Sequence, residues 1–279
     1  MTDGGELAAT GGQIGPADPP ADPWAPLRRL TPARIGLGRV GTAPSLASVL
    51  DLHVAHAEAR DAVWTEPDWP AIEGELTGAD VPWLSAHSRV PSREAYLLRP
   101  DLGRELDDPS RTALAAQRAD VDIVVCLVDG LSGTALSRHG VPFLSALLPL
   151  FRDANWRLAP VVLARQGRVA LGDAIAEAVG ARMALVVIGE RPGLSAADSL
   201  GLYLTYDARP GRLDSERNCI SNVRPGGLPP TAAAELAAAY AVAARQQART
   251  GTGIVDGYRS NARSTTTDRA ATARTSPPV

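Results

Sequence analysis

Short apolar runs alternating with helical stretches over residues 120–190 constrain this chain more than any other feature. Residues 123–128 (Ile-Val-Val-Cys-Leu-Val) read as a buried strand that stops at Asp129-Gly130. Residues 158–163 and 183–188 read the same way. Helices are expected at 141–151 and at 169–179, the second stopped by Gly180. Strands and helices alternating at this spacing form βαβ units, which pair their strands in parallel and lay helices on both faces. The expected fold class is therefore α/β, a Rossmann-like parallel sheet with flanking helices. A further Ala-rich helix is expected at 231–247, with Thr231 as N-cap and Glu235 in its first turns.

The region upstream is expected to be small and mainly helical. A helix is expected at 44–63, with Pro44 in its first turn and Leu46, Val49, Leu50 and Val54 near helical spacing. Short helices follow at 94–98 and 111–118, in a stretch broken by Pro67, Pro70, Pro82, Pro91, Pro100 and Pro109. Residues 1–26 are rich in Gly, Pro, Ala and Asp, have little to bury and are expected to be disordered. The chain then divides into a helical region at 27–118, an α/β domain at 119–250 and a disordered tail at 251–279.

Composition removes several function classes. All 28 basic residues are Arg, so neither a Schiff-base lysine nor a phosphate-loop lysine is available. The net charge of −3 makes no electrostatic case for nucleic acid. The two cysteines, Cys126 and Cys219, do not suggest a disulfide framework. No run approaches the roughly 18 apolar residues of a membrane span, and the acidic start Met1-Thr-Asp-Gly-Gly-Glu is unlike a signal peptide. The cytoplasm is the expected location.

The segment Leu185-Val186-Val187-Ile188-Gly189-Glu190-Arg191-Pro192-Gly193 is the strongest site signal. A buried strand ends at Gly, presents a carboxylate and a guanidinium, and breaks at Pro-Gly. Ligands of open α/β sheets sit outside the carboxyl ends of the strands, which makes Glu190 the first candidate. Residues 165–173 (Arg-Gln-Gly-Arg-Val-Ala-Leu-Gly-Asp) likewise follow a strand and open a helix, whose first N–H groups are free for a ligand; the plainer reading is an ordinary turn. Residues 214–227 read as a loop, crowded with polar groups and holding Cys219, which is either reactive or a packed thiol.

Other motifs are weaker. Gly36-Leu37-Gly38-Arg39-Val40-Gly41 matches the dinucleotide fingerprint by letter, with Asp61 downstream, but Pro32 denies the preceding strand. His53 and His56 share a helix face without a third ligand and read as a polar face. Asp129-Gly130-Leu131-Ser132-Gly133 lacks the Gly-x-Ser-x-Gly spacing of a nucleophile elbow and reads as a turn that aims Asp129 into a crevice. Readings of the residues alone keep open a free-standing α/β enzyme acting through Asp129 or Ser132, and a non-catalytic scaffold subunit.

Seven stretches in order together resemble the small-subunit (light-chain) family of ethanolamine ammonia-lyases. They begin with Leu30-Thr-Pro-Ala-Arg-Ile-Gly-Leu-Gly-Arg-Val-Gly, His56-Ala-Glu-Ala-Arg-Asp-Ala-Val and Ser92-Arg-Glu-Ala-Tyr-Leu-Leu-Arg-Pro-Asp-Leu-Gly-Arg. Val128-Asp-Gly-Leu-Ser, Gly167-Arg-Val-Ala-Leu-Gly-Asp, Ile188-Gly-Glu-Arg-Pro-Gly-Leu-Ser and Arg217-Asn-Cys-Ile-Ser-Asn-Val-Arg follow. The resemblance covers about residues 27–255 and implies conversion of ethanolamine to acetaldehyde and ammonia with adenosylcobalamin. It implies a hetero-oligomer whose large subunit holds the substrate, inactivity of this chain alone, and a cytoplasmic or microcompartment setting. It maps cobalamin contacts onto Val169, Glu190 and Cys219. Cobalamin proteins that ligate cobalt with a histidine use Asp-x-His-x-x-Gly. This chain has Asp51-x-His53-x-x-His56, so no cobalt ligand is expected from it and the cofactor is expected to keep its own base.

Overall fold

The computed structural model describes residues 22–252 and divides into two compact units, parting between Leu52 and His53. The expectations of disorder at the two ends fall mostly outside the described residues. In the first unit, a single helical turn α1 (Ala25–Arg28) precedes the two-residue strands β1 (Arg39–Val40) and β2 (Ala43–Pro44), which pair antiparallel. Gly41 takes φ +65° at the turn between them. The Gly-x-Gly-x-x-Gly letters therefore make a hairpin: no strand leads into them and no helix opens on the last glycine. Pro44 is spent in β2, and helix α2 (Leu46–Trp64) starts two residues later than expected.

The second unit continues with α3 (Trp69–Gly78), β3 (Trp83–His87), α4 (Arg93–Leu98), a 3₁₀ turn at Leu102–Arg104 and α5 (Asp108–Ala115). The alternating part follows: β4 (Val121–Val128), α6 (Gly133–Asp153), β5 (Val161–Arg165), α7 (Leu171–Val179) and β6 (Ala181–Gly189). Two further strands, β7 (Leu200–Tyr206) and β8 (Arg217–Val223), precede α8 (Pro230–Gln247). Six strands form one sheet in the order β3-β5-β4-β6-β7-β8. The first four are parallel, and β7 and β8 add antiparallel. The fold is α/β, a mostly parallel sheet flanked by helices, as the alternation predicts.

The two central strands bury both faces, which explains their unbroken apolar sequences. On β4, Ile123, Val125 and Leu127 enter one core with α3, α6 and α8, while Val124, Cys126 and Val128 enter the other with α7. On β6, Met183, Leu185 and Val187 go one way and Ala184, Val186 and Ile188 the other. Cys126 is thus a fully buried packing thiol.

Several elements differ from the sequence expectation. Helix α6 runs from Gly133 through Pro142 and Pro149, capped by Ser132, whose Oγ accepts from Ala135 N–H at 3.2 Å. Its long buried face (Leu136, Phe143, Leu144, Leu147, Phe151) outweighs the backbone bonds that two prolines delete. Helix α8 starts at Pro230 with no side-chain cap, so Thr231 is not its N-cap. Most consequentially, Arg217–Val223 is a strand and not a loop. Its polar residues are satisfied from afar: Arg217 pairs with Asp173 and Thr205, and Asn218 exchanges hydrogen bonds with Gly251 at 2.9 Å each way.

Candidate functional site

The carboxyl ends of β4, β5 and β6 lie side by side, because the register places Val128 opposite Ala164 and Ile188. Three turns leave this edge, and the groove above them is lined by Tyr96, Gly130, Leu131, Arg168, Val169, Ile188, Gly189, Glu190, Arg191 and Tyr203. Its volume is about 370 Å³. A second hollow of about 270 Å³ shares Arg168, Val169 and Tyr203 with it and adds Arg104, Ala170, Asp214, Arg217 and Cys219. The shared residues join the two hollows, so Val169, Glu190 and Cys219 lie along one continuous wall.

Each of the three is held differently. Val169 sits in the turn between β5 and α7, where its carbonyl accepts from Gly172 N–H at 3.1 Å. Glu190 follows the last residue of β6, and its Oε2 accepts from the Ser199 hydroxyl at 2.6 Å and from Asn222 N–H at 3.1 Å. Among the described residues no hydrogen bond reaches its Oε1. A Cβ on Gly201 would come within 3.1 Å of that oxygen, so a glycine there leaves the carboxylate room.

Cys219 stands opposite Tyr203 across the β7–β8 pair. The thiol is exposed, which overturns the expectation of a packed cysteine. It is not primed for reaction either: desolvation against the groove wall and the Glu190 charge push its pKa up. Tyr203 is likewise pushed above the ordinary phenol range, mainly by desolvation, and stays a neutral donor. The groove therefore offers a carboxylate oxygen, a neutral thiol, a neutral phenol with its ring and several guanidiniums.

Arg217 fastens β8 to α7. Its guanidinium meets Asp173 in a two-point pair at 2.8 and 2.7 Å, with both side chains almost fully buried, and also donates to Thr205 at 2.7 Å. Burial works against the charge of Arg217, but the Asp173 and Asp214 carboxylates outweigh it and hold the group protonated. The pair fixes the strand carrying Cys219 to the first turn of the helix behind Val169.

The residues of the free-standing enzyme reading are consumed by the fold. Asp129 is 4% exposed and does not face the crevice; its carboxylate accepts backbone N–H groups of Gly130, Gln166 and Gly167. Ser132 is fully buried, donates to Ala197 O at 2.8 Å and caps α6. His53 and His56 are both exposed on α2, and no group of three His, Cys, Asp or Glu among the described residues is placed to hold a metal. No helix among them is long and apolar enough to cross a membrane.

Sequence reasoning missed Tyr203, which walls the groove, and Tyr96, which is fully buried behind it. The Leu200-Gly-Leu-Tyr-Leu alternation, with Leu200, Leu202 and Leu204 all buried, is the period-2 signal that marks β7 and would have placed Tyr203 on the opposite face.

A protein-family model described as ethanolamine ammonia-lyase light chain (EutC) matches residues 21–254. The chain is similar to the ethanolamine ammonia-lyase small subunit of Pseudomonas syringae pv. tomato, 50% identical over 213 residues, or 75% of this chain and 74% of that one. It is 48% identical to the small subunit from Ralstonia nicotianae over 223 residues, covering 78% and 83% of the two chains. The small subunit from Pseudomonas aeruginosa is 49% identical over 211 residues, covering 74% and 77%.

Proposed function

The chain belongs to the ethanolamine ammonia-lyase light-chain family, and from that premise we propose that it is the small subunit of an adenosylcobalamin-dependent lyase that converts ethanolamine to acetaldehyde and ammonia. In this reading the large subunit binds the substrate, and the present chain covers part of the cobalamin and is inactive alone. The complex works in the cytoplasm or in a microcompartment within it.

The observation that carries the reading is the shared wall formed by Val169, Glu190 and Cys219. Its chemistry suits a corrinoid, whose rim bears amide groups. Glu190 Oε1 can accept their N–H groups. Tyr203 offers flat apolar surface, and backbone groups of the turn at Val169 lie beside it. Pockets of about 300–1,000 Å³ suit drug-sized ligands. A corrinoid is larger, so this wall would meet one side of it and leave the rest to another chain. When bound, adenosylcobalamin supplies radical chemistry from its cobalt–carbon bond; the protein supplies binding and orientation.

A second chain has a surface to meet. On the part of α2 in the first unit, Leu46 and Leu50 are spaced four residues apart and are 72% and 53% exposed. Apolar side chains exposed in a row mark interaction surfaces.

The test is co-expression with the large subunit and chromatography monitored at cobalamin wavelengths. Pigment should travel with the pair and not with this chain alone. A pigment-free pair supports a scaffold role instead, and turnover by this chain alone supports a free-standing enzyme. Glu190→Ala should weaken cobalamin retention tenfold to a hundredfold, from the loss of one charge-assisted contact of roughly 1.5–3 kcal/mol, while assembly persists. Normal retention by the mutant pair would reduce Glu190 to a brace between Ser199 and Asn222.

A further inference from the structure

We infer that Asp129 is a positioning residue for the groove, holding in place the turn that presents Val169. The inference rests on the cofactor reading above. Asp129 closes β4, and its two carboxylate oxygens divide their contacts between turns. Oδ1 accepts from Gly130 N–H at 2.9 Å and from Gly167 N–H at 3.0 Å, and Oδ2 accepts from Gln166 N–H at 2.8 Å. Arg93 from α4 completes the set, with Nη1 3.6 Å from Oδ2. One buried carboxylate thus links the ends of β4, β5 and α4.

The turn it holds would not keep this shape unaided. Gln166 is in the left-handed region at φ +53°, which costs a non-glycine residue energy unless its surroundings impose it. Gly167 is pressed against β4 so closely that a Cβ would lie 2.5 Å from Val128 Cγ1 and 2.8 Å from Leu171 Cδ2. The carbonyls of the same two residues are tied separately. Ser88 Oγ donates to Gln166 O at 2.7 Å, and the Tyr96 hydroxyl donates to Gly167 O at 2.9 Å. Arg168 N–H donates to Gly103 O at 2.7 Å, immediately before Val169. Asp129 supplies the N–H side of this scaffold.

The contact set also explains why a carboxylate stands here. Every group that meets Asp129 is a donor: three backbone N–H groups and a guanidinium. A carboxylate only accepts, whereas an asparagine amide would turn an N–H against one of them. Asp129→Asn therefore keeps the size and removes the fit. The Tyr96 ring, with the Arg93 and Arg168 guanidiniums 4.5 and 4.0 Å from its centre, joins this support to the groove wall.

The experiment measures two quantities on Asp129→Asn and Tyr96→Phe, beside wild type. Amide hydrogen exchange in the full chain, without cofactor, reads the turn directly. Cobalamin titration of the pair with the large subunit reads the groove. For Asp129→Asn, exchange at residues 166 and 167 should accelerate roughly tenfold or more while β4 and β6 amides hold, and cobalamin affinity should fall roughly tenfold with kcat at saturating cofactor nearly unchanged. Tyr96→Phe, which deletes one hydrogen bond, should move both readouts the same way by less. Wild-type exchange and wild-type affinity in Asp129→Asn would overturn the inference and leave the functional reading intact. If that variant fails to fold, Asp129→Glu decides, because it keeps the acceptor charge and displaces both oxygens by one methylene: wild-type exchange at 166 and 167 with wild-type affinity overturns the inference. A wild-type pair that binds no cobalamin overturns the functional reading, and this inference with it.

Discussion

Charged residues inside this chain act as fasteners, and each has a different readout when removed. The Asp173–Arg217 pair is the most buried of them, at 1% and 2% side-chain exposure. Removing one partner of a buried ion pair strands the other charge and costs about 3–5 kcal/mol. Asp173→Ala should therefore lower the unfolding midpoint by roughly 10 °C, read by calorimetry or circular dichroism. Replacing both partners with apolar residues of similar volume should recover most of the loss. A single variant that melts within about 2 °C of wild type would show that the pair does not anchor β8. Glu190 differs in kind: one oxygen is bound within the protein and the other takes no hydrogen bond among the described residues, so its removal should register in ligand retention more than in melting.

At the level of elements, the site exists because two loops cross without side chains between them. Gly189, at the end of β6, packs where an added Cβ would lie 2.1 Å from Ser132 O and 2.6 Å from Asp129 O. Both neighbours are backbone, so neither can swing away. Gly189→Ala should push the β4 and β6 turns apart and destabilise the chain by about 1–3 kcal/mol, as overpacking does. Cobalamin retention should fall as well, because Gly189 and Gly130 both line the groove. A stability loss in denaturant unfolding below about 0.5 kcal/mol would mean that the loops yield more easily than this geometry implies. The antiparallel addition of β7 and β8 matters equally, since it carries Tyr203 and Cys219 to the edge where the parallel strands end.

For the whole molecule, the exposed row on α2 predicts a partner. Leu46→Glu with Leu50→Glu should leave the chain's own melting nearly unchanged, since both side chains are already more than half exposed, yet should prevent co-elution with the large subunit. Undisturbed assembly by that double variant would move the contact surface elsewhere. What the sequence determined by itself was the local part: the apolar runs that make β4 and β6, the Gly and Pro-Gly breaks that end them, and the turns holding Val169 and Glu190. Those signals are local because burial on both faces and chain reversal leave their mark within a few residues. Tertiary structure alone decided the rest. Arg217–Val223 looks like a loop until Asp173, 44 positions away, neutralises its arginine. Asp129 reads as a carboxylate aimed into a crevice until the turn after β5 folds over it, and Cys219 joins Val169 only through strand pairing with Tyr203. Polar groups carry no period that reveals their partners; which donor meets which acceptor depends on elements far apart in sequence, and only the packed fold brings them together.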